Sequence, residues 1–440
     1  MPHRASLALL LIAAVAVAAP AVAAPEGWTV REAEEQLVAE SGGVYADRAL
    51  GAYVQSVGAR LVAAAGQSAK GWSFTVLDTP DSNAFALPDG QVFVTRGMLT
   101  LASDEAELAA ILGHEIGHAL AGDALNARTD KARRASEFAA DRTGMRLMVG
   151  AGYDPTAESD FLATLLASRV IEAGPSARRA ATREADDHPA LPERLRRARD
   201  EAAEMAAANA GGKLERGRYL AAIDGLVWGD GPAQGFLVGR SFVHPDLRFA
   251  FEAPAGYALA NRPDAVIVSG PAGAMLLLDS LPDPGGSPER YLVDGWVPEI
   301  ARGVRAGPLE ATRAMRLNGM AAAQGQLPLA SRGSARVAEL TVVRHDGRFY
   351  RLTGLHAPND TTGAAALAAA AASFRSLPAR EAAELRPLRV RVHKITRGED
   401  VASLAQSMPI PAARAWFDVL NGLEPGDELR VGDLVKMVSG

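Results

Sequence analysis

His114-Glu115-Ile116-Gly117-His118 places two histidines four residues apart, with a glutamate directly after the first. The run leading into it, Asp104 to Gly113, has helical spacing and few helix breakers. On a helix, residues four apart share a face, so both imidazoles can reach one metal ion. No other stretch of the chain constrains the fold as tightly. A helix has to run through residues 104–118, and its histidine face has to meet further ligands. Glu115 lies one position round from His114, near enough to contact a metal-bound water without being a ligand itself.

A third ligand is found in Glu137-Phe138-Ala139-Ala140-Asp141, a segment that reads as helical through Met145, Leu147 and Met148. Glu137 and Asp141 are four apart and share a face. A carboxylate from this second helix completes a His114, His118, Glu137 set with one position left open. That is the donor set of catalytic zinc, one ion per chain, which lowers the pKa of its water to roughly 7. Asp141 is then placed to hydrogen-bond the far nitrogen of a ligand histidine, which fixes its tautomer. With Glu115 as the base, the pattern predicts zinc-dependent hydrolysis of peptide bonds.

Several further blocks lie around this pair of helices: Ser82 to Leu99 (SNAFALPDGQVFVTRGML), Glu107-Leu108-Ala109, Ala151-Gly152-Tyr153-Asp154-Pro155 and His188-Pro189. In order and spacing they resemble the M48 peptidases, which include the CAAX-processing proteases and bacterial periplasmic proteases acting on outer-membrane proteins. The resemblance covers roughly residues 32–197. It implies that His188, held extended by the proline after it, reaches the metal site. There it either stabilises the oxyanion or sits as a fourth ligand that keeps the resting site closed. It also implies that the strands around Pro88-Asp89-Gly90 border the cleft, where an edge strand pairs with an extended substrate through main-chain hydrogen bonds. Many relatives carry a long helical excursion between the two metal-binding helices. In this chain the connection is short.

The N-terminus reads as a secretory signal, residues 1–24, with Arg4, an apolar core from Leu7 to Ala19 and Ala21-Val22-Ala23 as the cleavage site. The apolar core is shorter than the roughly 20 residues a bilayer span needs, so no transmembrane segment is expected in the mature chain. There is no cysteine, hence no disulfide and no lipid-modified N-terminal Cys, and zinc must be held by histidine and carboxylate. The formal net charge of −6 argues against nucleic-acid binding. A periplasmic protein is the expected product.

With 440 residues the chain has room for two or three cores. Residues 25–228 are expected to form the mainly helical, zincin-like M48-type domain with a small edge-stranded sheet. Within it, Thr29 to Leu61 reads as helical with a break at Gly42-Gly43, and Trp72 to Leu77 and Gln91 to Thr95 as strands forming a hairpin. The linker Gly229 to Gly235 starts a second section, 229–380. Strand-like runs at Leu247–Phe251, Val266–Val268, Met275–Leu278 and Val337–Val343, with helical stretches near Glu289–Val304 and Gly363–Leu377, suggest an α+β sandwich of the Mog1/PsbP type. His244, His345 and His356 are scattered there and read as surface or packing residues. Residues 388–440 read as a βααβ unit resembling a LysM module, for which peptidoglycan binding and protein docking are equal alternatives. The expected fold class is α+β and multidomain. The expected substrates are unfolded or misassembled envelope proteins, with a non-catalytic scaffold or holdase as the alternative.

Overall fold

A computed structural model describes residues 41–122, 129–173, 191–208, 212–262, 265–331, 334–424 and 426–440, with Glu35 and Val38. The signal segment and His188 lie outside the described residues. The architecture is α+β and multidomain, with several helices and sheets. Residues 230–386 cluster into one compact unit, and the described residues before them cluster with 387–440 into another.

The second of these units carries the histidine motif. Gly42 and Gly43 both have positive φ, 81° and 86°, which ends any preceding helix. Helix α1 (Arg48–Ala64) then starts where the Asp47 carboxylate accepts from the Ala49 and Leu50 amides. Its Leu50, Val54, Val57 and Leu61 recur at helical spacing and are buried. Strands β1 (Ser73–Leu77), β2 (Ala84–Ala86) and β3 (Gln91–Thr95) form a sheet in the order β1-β3-β2. The expected hairpin between residues 72–77 and 91–95 is therefore wrong in topology: β1 and β3 pair in parallel, and the antiparallel partner of β3 is β2. A three-residue strand is too short to show an alternating pattern, which is why β2 escaped sequence reading.

After the short helix α2 (Arg96–Leu101) come α3 (Glu105–Ala121), α4 (Asp130–Gly150), α5 (Thr156–Glu172) and α6 (Leu191–Ala208). Asp104 caps α3 by accepting from the Glu107 amide, and Gly122, at φ 68°, ends it. The C-terminal residues do not stand apart from this assembly. Val390, Phe417, Leu420 and Val438 belong to the same hydrophobic cluster as Val54, Leu108 and Leu112. The fully buried Lys436 donates from Nζ to the carbonyls of Thr100, Leu101 and Ala102 at 2.9, 3.0 and 2.6 Å. It satisfies carbonyls that the end of α2 leaves without helical partners. The tail does have the expected βααβ order, with strands Leu388–Lys394 and Leu434–Ser439 paired antiparallel and helices Val401–Gln406 and Ala413–Asn421 between them.

In the other unit, Met275–Pro282, Ser334–His345, Arg348–His356 and Met320–Ser331 pair antiparallel within an eight-stranded sheet. The period-2 alternation along Arg348–His356 decides its two faces. Phe349 and Leu355 join a cluster with Trp296 and Ile300, whereas Tyr350 and Leu352 join one with Leu367 and Phe374. The helical stretch expected near Gly363–Leu377 is the alanine-rich helix Thr361–Ala372, packed through Leu367 and Ala370.

Candidate metal centre

Helices α3 and α4 approach unusually closely, and glycine makes this possible. A Cβ at Gly117 would lie 3.0 Å from the Ala140 carbonyl oxygen, and one at Gly144 would lie 2.9 Å from the His114 amide nitrogen. Contact at backbone distance brings His114 and His118 on α3 against Glu137 and Asp141 on α4. All four are on buried or nearly buried positions, with His114, Glu115, Glu137 and Asp141 each no more than 5 % exposed.

His118 Nε2 lies 3.1 Å from His114 Nε2 and 3.3 Å from Glu137 Oε1, and His114 Nε2 lies 3.5 Å from Glu137 Oε2. Ligand atoms bound at about 2.0–2.2 Å in a tetrahedron stand about 3.3–3.6 Å apart, so this donor set fits one zinc ion. His114 Nδ1 is 2.8 Å from Asp141 Oδ1. A proton on Nδ1 donated to that carboxylate leaves the Nε2 lone pair facing His118 and Glu137. Ser136 Oγ stands 3.4 Å from His118 Nδ1, which orients the second ring more weakly. Burial lowers the His114 pKa, and the Arg194 charge lowers it further, so the ring is neutral, as a ligand must be.

Sequence reading passed over two residues. Arg194 on α6 is 4 % exposed and bonds Glu137 Oε2 through Nη1 at 2.8 Å. It bonds Asp141 through Nη2 at 2.6 Å and Nε at 2.9 Å. Nη2 also stands 3.2 Å from His114 Nδ1, which carries its own proton when it donates to Asp141 and so does not accept from the guanidinium. Burial presses the Asp141 carboxyl upward, but Arg194 and the His114 hydrogen bond outweigh it and hold it well below the usual carboxylate range. The signal for Arg194 was faint: an arginine on the same helical stripe as the buried Leu191, Ala198 and Ala202. Glu158 on α5 is the other. It is buried beside Asp141, and burial followed by the Asp141 charge drives its pKa well above the usual value. His114, Asp141 and Glu158 also come close enough to hold a cation, but the Arg194 guanidinium already neutralises Asp141.

Glu115 lies on the wall of a cavity together with His114, on the side of α3 that faces α5. The centre thus sets two imidazoles and a carboxylate around one point, with a further carboxylate beside them.

Comparison with known proteins matches residues 49–130 and 124–202 to the family described as Peptidase family M48. The mitochondrial metalloendopeptidase OMA1 of Danio rerio is 51 % identical over 55 residues, 12 % of this chain and 12 % of that protein. The beta-barrel assembly-enhancing protease of Escherichia coli K12 is 25 % identical over 162 residues, 27 % of this chain and 33 % of the relative. The chain therefore spans a third or less of these relatives' length. Cyanobacterial PsbP from Synechocystis aligns over 33 % of this chain and 99 % of its own at 16 % identity, but with a TM-score of only 0.26.

Proposed function

We propose, from the match of residues 49–202 to peptidase family M48, that the chain is a zinc-dependent endopeptidase. The observation that carries this reading is the trio His114, His118 and Glu137, whose donor atoms lie 3.1–3.5 Å apart with Glu115 beside them. Zinc held there would supply Lewis-acid polarisation of the scissile carbonyl and a more acidic water. Glu115 takes the proton from the attacking water and passes it to the leaving amine. Asp141 keeps His114 in the tautomer that presents Nε2, and Arg194, bonded to Glu137 and Asp141 alike, holds the Asp141 carboxyl ionised at its buried position. The outer edge of β2, unpaired among the described residues and next to the cavity wall at Ala84, suits an extended peptide bound through its main chain, with little demand on sequence.

We take the substrates to be misfolded or unassembled envelope proteins. The signal-like pattern read from residues 1–24 supports a periplasmic setting, and the name of the Escherichia coli relative, a beta-barrel assembly-enhancing protease, supports substrates of the envelope. No described helix is long and apolar enough to cross a membrane. Peptidoglycan binding by residues 388–440 rests on the βααβ order alone.

The test is Glu115→Gln against wild type on an unfolded protein such as casein, with and without a chelator. Hydrolysis should disappear in the variant while zinc stays near one per chain, because the base is lost and the ligands are kept. Cleavage by the variant at the wild-type rate would reject the mechanism.

A further inference from the structure

Glu158 on α5 is 3 % exposed, and its Oε2 is buried with no hydrogen-bond partner among the described residues. A buried polar oxygen left in this state is costly, and native folds keep few of them. Glu158 also lines a cavity of about 520 Å³, open to solvent, whose wall includes His114 and Glu115. The residue with the unpaired oxygen thus shares a cavity with the proposed base. Much of the surrounding wall is apolar: Phe161, Leu162 and Leu165 line it from α5, and Ile111 lines it from α3. Ala84 of β2 borders the same space, so a peptide paired along that strand would pass its opening.

The charges around Glu158 decide what can pair with that oxygen. Asp141 stays ionised against its burial, because Arg194 and the His114 hydrogen bond outweigh it, and a carboxylate can only accept. The proton in the hydrogen bond between Glu158 and Asp141 therefore sits on Glu158. Burial, followed by the Asp141 charge, drives the Glu158 pKa well above the usual value, in keeping with that placement. With its proton turned toward Asp141, Glu158 has only an acceptor left at Oε2. An ionised Glu158 would also accept there, so the sense of the missing bond is the same in both states. A cationic donor is disfavoured. It would shed its water beside the buried Arg194 guanidinium, which already supplies positive charge to Glu137 and Asp141. A neutral hydroxyl or amide exchanges one hydrogen bond to water for one to Oε2 and carries no charge into the cavity.

We propose that Glu158 Oε2 is a substrate-recognition acceptor, which selects, beside the scissile bond, an uncharged side chain carrying a hydroxyl or amide donor. The inference rests on the peptidase reading above and deepens it. Glu158 sets specificity and takes no part in the chemical step. A substrate without the donor leaves Oε2 to water or to nothing. In an open cavity the difference should be about 10- to 100-fold in kcat/KM, below the roughly 10⁴- to 10⁵-fold of a closed site built for one hydroxyl.

The experiment uses the full chain, loaded with zinc, and peptides that differ only at the two residues flanking the bond. They come in matched pairs: threonine against valine, tyrosine against phenylalanine, and glutamine against methionine. Cleavage is read by mass spectrometry, and binding of the same peptides to Glu115→Gln by fluorescence anisotropy. The donor member of at least one pair should be favoured by about 10- to 100-fold. Two substitutions, each made in wild type and in Glu115→Gln, trace the preference to its source. Glu158→Gln keeps an acceptor, because its NH2 can face Asp141 and its oxygen the cavity, and should keep the preference. Glu158→Met removes the acceptor and should turn the preference toward the apolar member. The wild-type pairs decide the matter even if a variant fails to fold. No donor preference in any pair, selection of lysine or arginine over both members, or a donor preference that survives Glu158→Met would overturn the proposal. If wild type cleaves nothing, the peptidase reading fails, while binding to Glu115→Gln still decides what Glu158 selects, and absent binding overturns that too.

Discussion

Gly144→Ala tests the close approach on which the metal centre depends. The added methyl would lie 2.9 Å from the His114 amide nitrogen and 3.0 Å from the Gly113 carbonyl carbon. Atoms in ordinary contact sit about 3.5–4.0 Å apart, so α3 and α4 must separate by several tenths of an ångström or more. The obstructing atoms are backbone and cannot swing aside. Overpacking of this kind costs about 1–3 kcal/mol. Against it stands a gain of about 1 kcal/mol for alanine over glycine within a helix. Gly51→Ala in α1 isolates that gain, because nothing lies within 4 Å of the position where its Cβ would be. Propensity cancels between the two variants, so Gly144→Ala should be less stable than Gly51→Ala by about 1–3 kcal/mol. At about 2–4 °C per kcal/mol for a domain of this size, its melting temperature should be about 2–12 °C lower. The same separation pulls His114 away from Glu137, and zinc affinity should fall about 10- to 100-fold, the usual effect of disturbed ligand support. Thermal melts of the metal-free proteins and chelator competition measure both quantities. Equal melting temperatures with unchanged zinc affinity would refute the packing argument.

His188→Ala separates the two roles proposed for that residue. Loss of a closing ligand should raise basal proteolysis, whereas loss of an oxyanion donor should lower turnover about 10²–10³-fold; unchanged steady-state rates would exclude both. His244 should make the 230–386 unit acid-sensitive. Burial lowers its pKa to about 4 from the ordinary 6.5, and its Nδ1 accepts from the Leu247 amide at 3.2 Å, a bond that protonation breaks. Between pH 6.5 and 4 the unfolded chain takes up this proton and the folded one does not, so stability falls as pH drops through that window, by up to about 3 kcal/mol. His244→Gln should flatten the urea midpoint against pH, and parallel curves for both proteins would contradict the assignment. Deleting residues 387–440 should unfold the peptidase unit rather than only displace it in the cell, because Phe417, Leu420 and Lys436 leave its core. A native melt for the truncated chain would show the tail to be separable.

The histidine-motif helix and its candidate donors were legible because their information is local. An i, i+4 repeat fixes which side chains share a helical face whatever surrounds them, so His114 and His118, like Glu137 and Asp141, paired on paper before any fold was known. The Gly- and Pro-containing linker from Gly229 to Gly235 and the strand-like runs after it likewise marked a new section. Tertiary packing decided what spacing alone cannot express. Arg194 looks like any arginine in a charged helix until α6 buries it between Glu137 and Asp141. Strand β2 has three residues and no periodicity, and only its pairing with β3 makes it an edge. Residues 388–440 have the order of an independent module, yet their apolar side chains and Lys436 complete a core begun some 300 residues earlier. The physical reason is common to all three. A side chain's own spacing reports the face it occupies, but its partner across the core is chosen by burial and hydrogen-bond satisfaction, which exist only once distant segments have met.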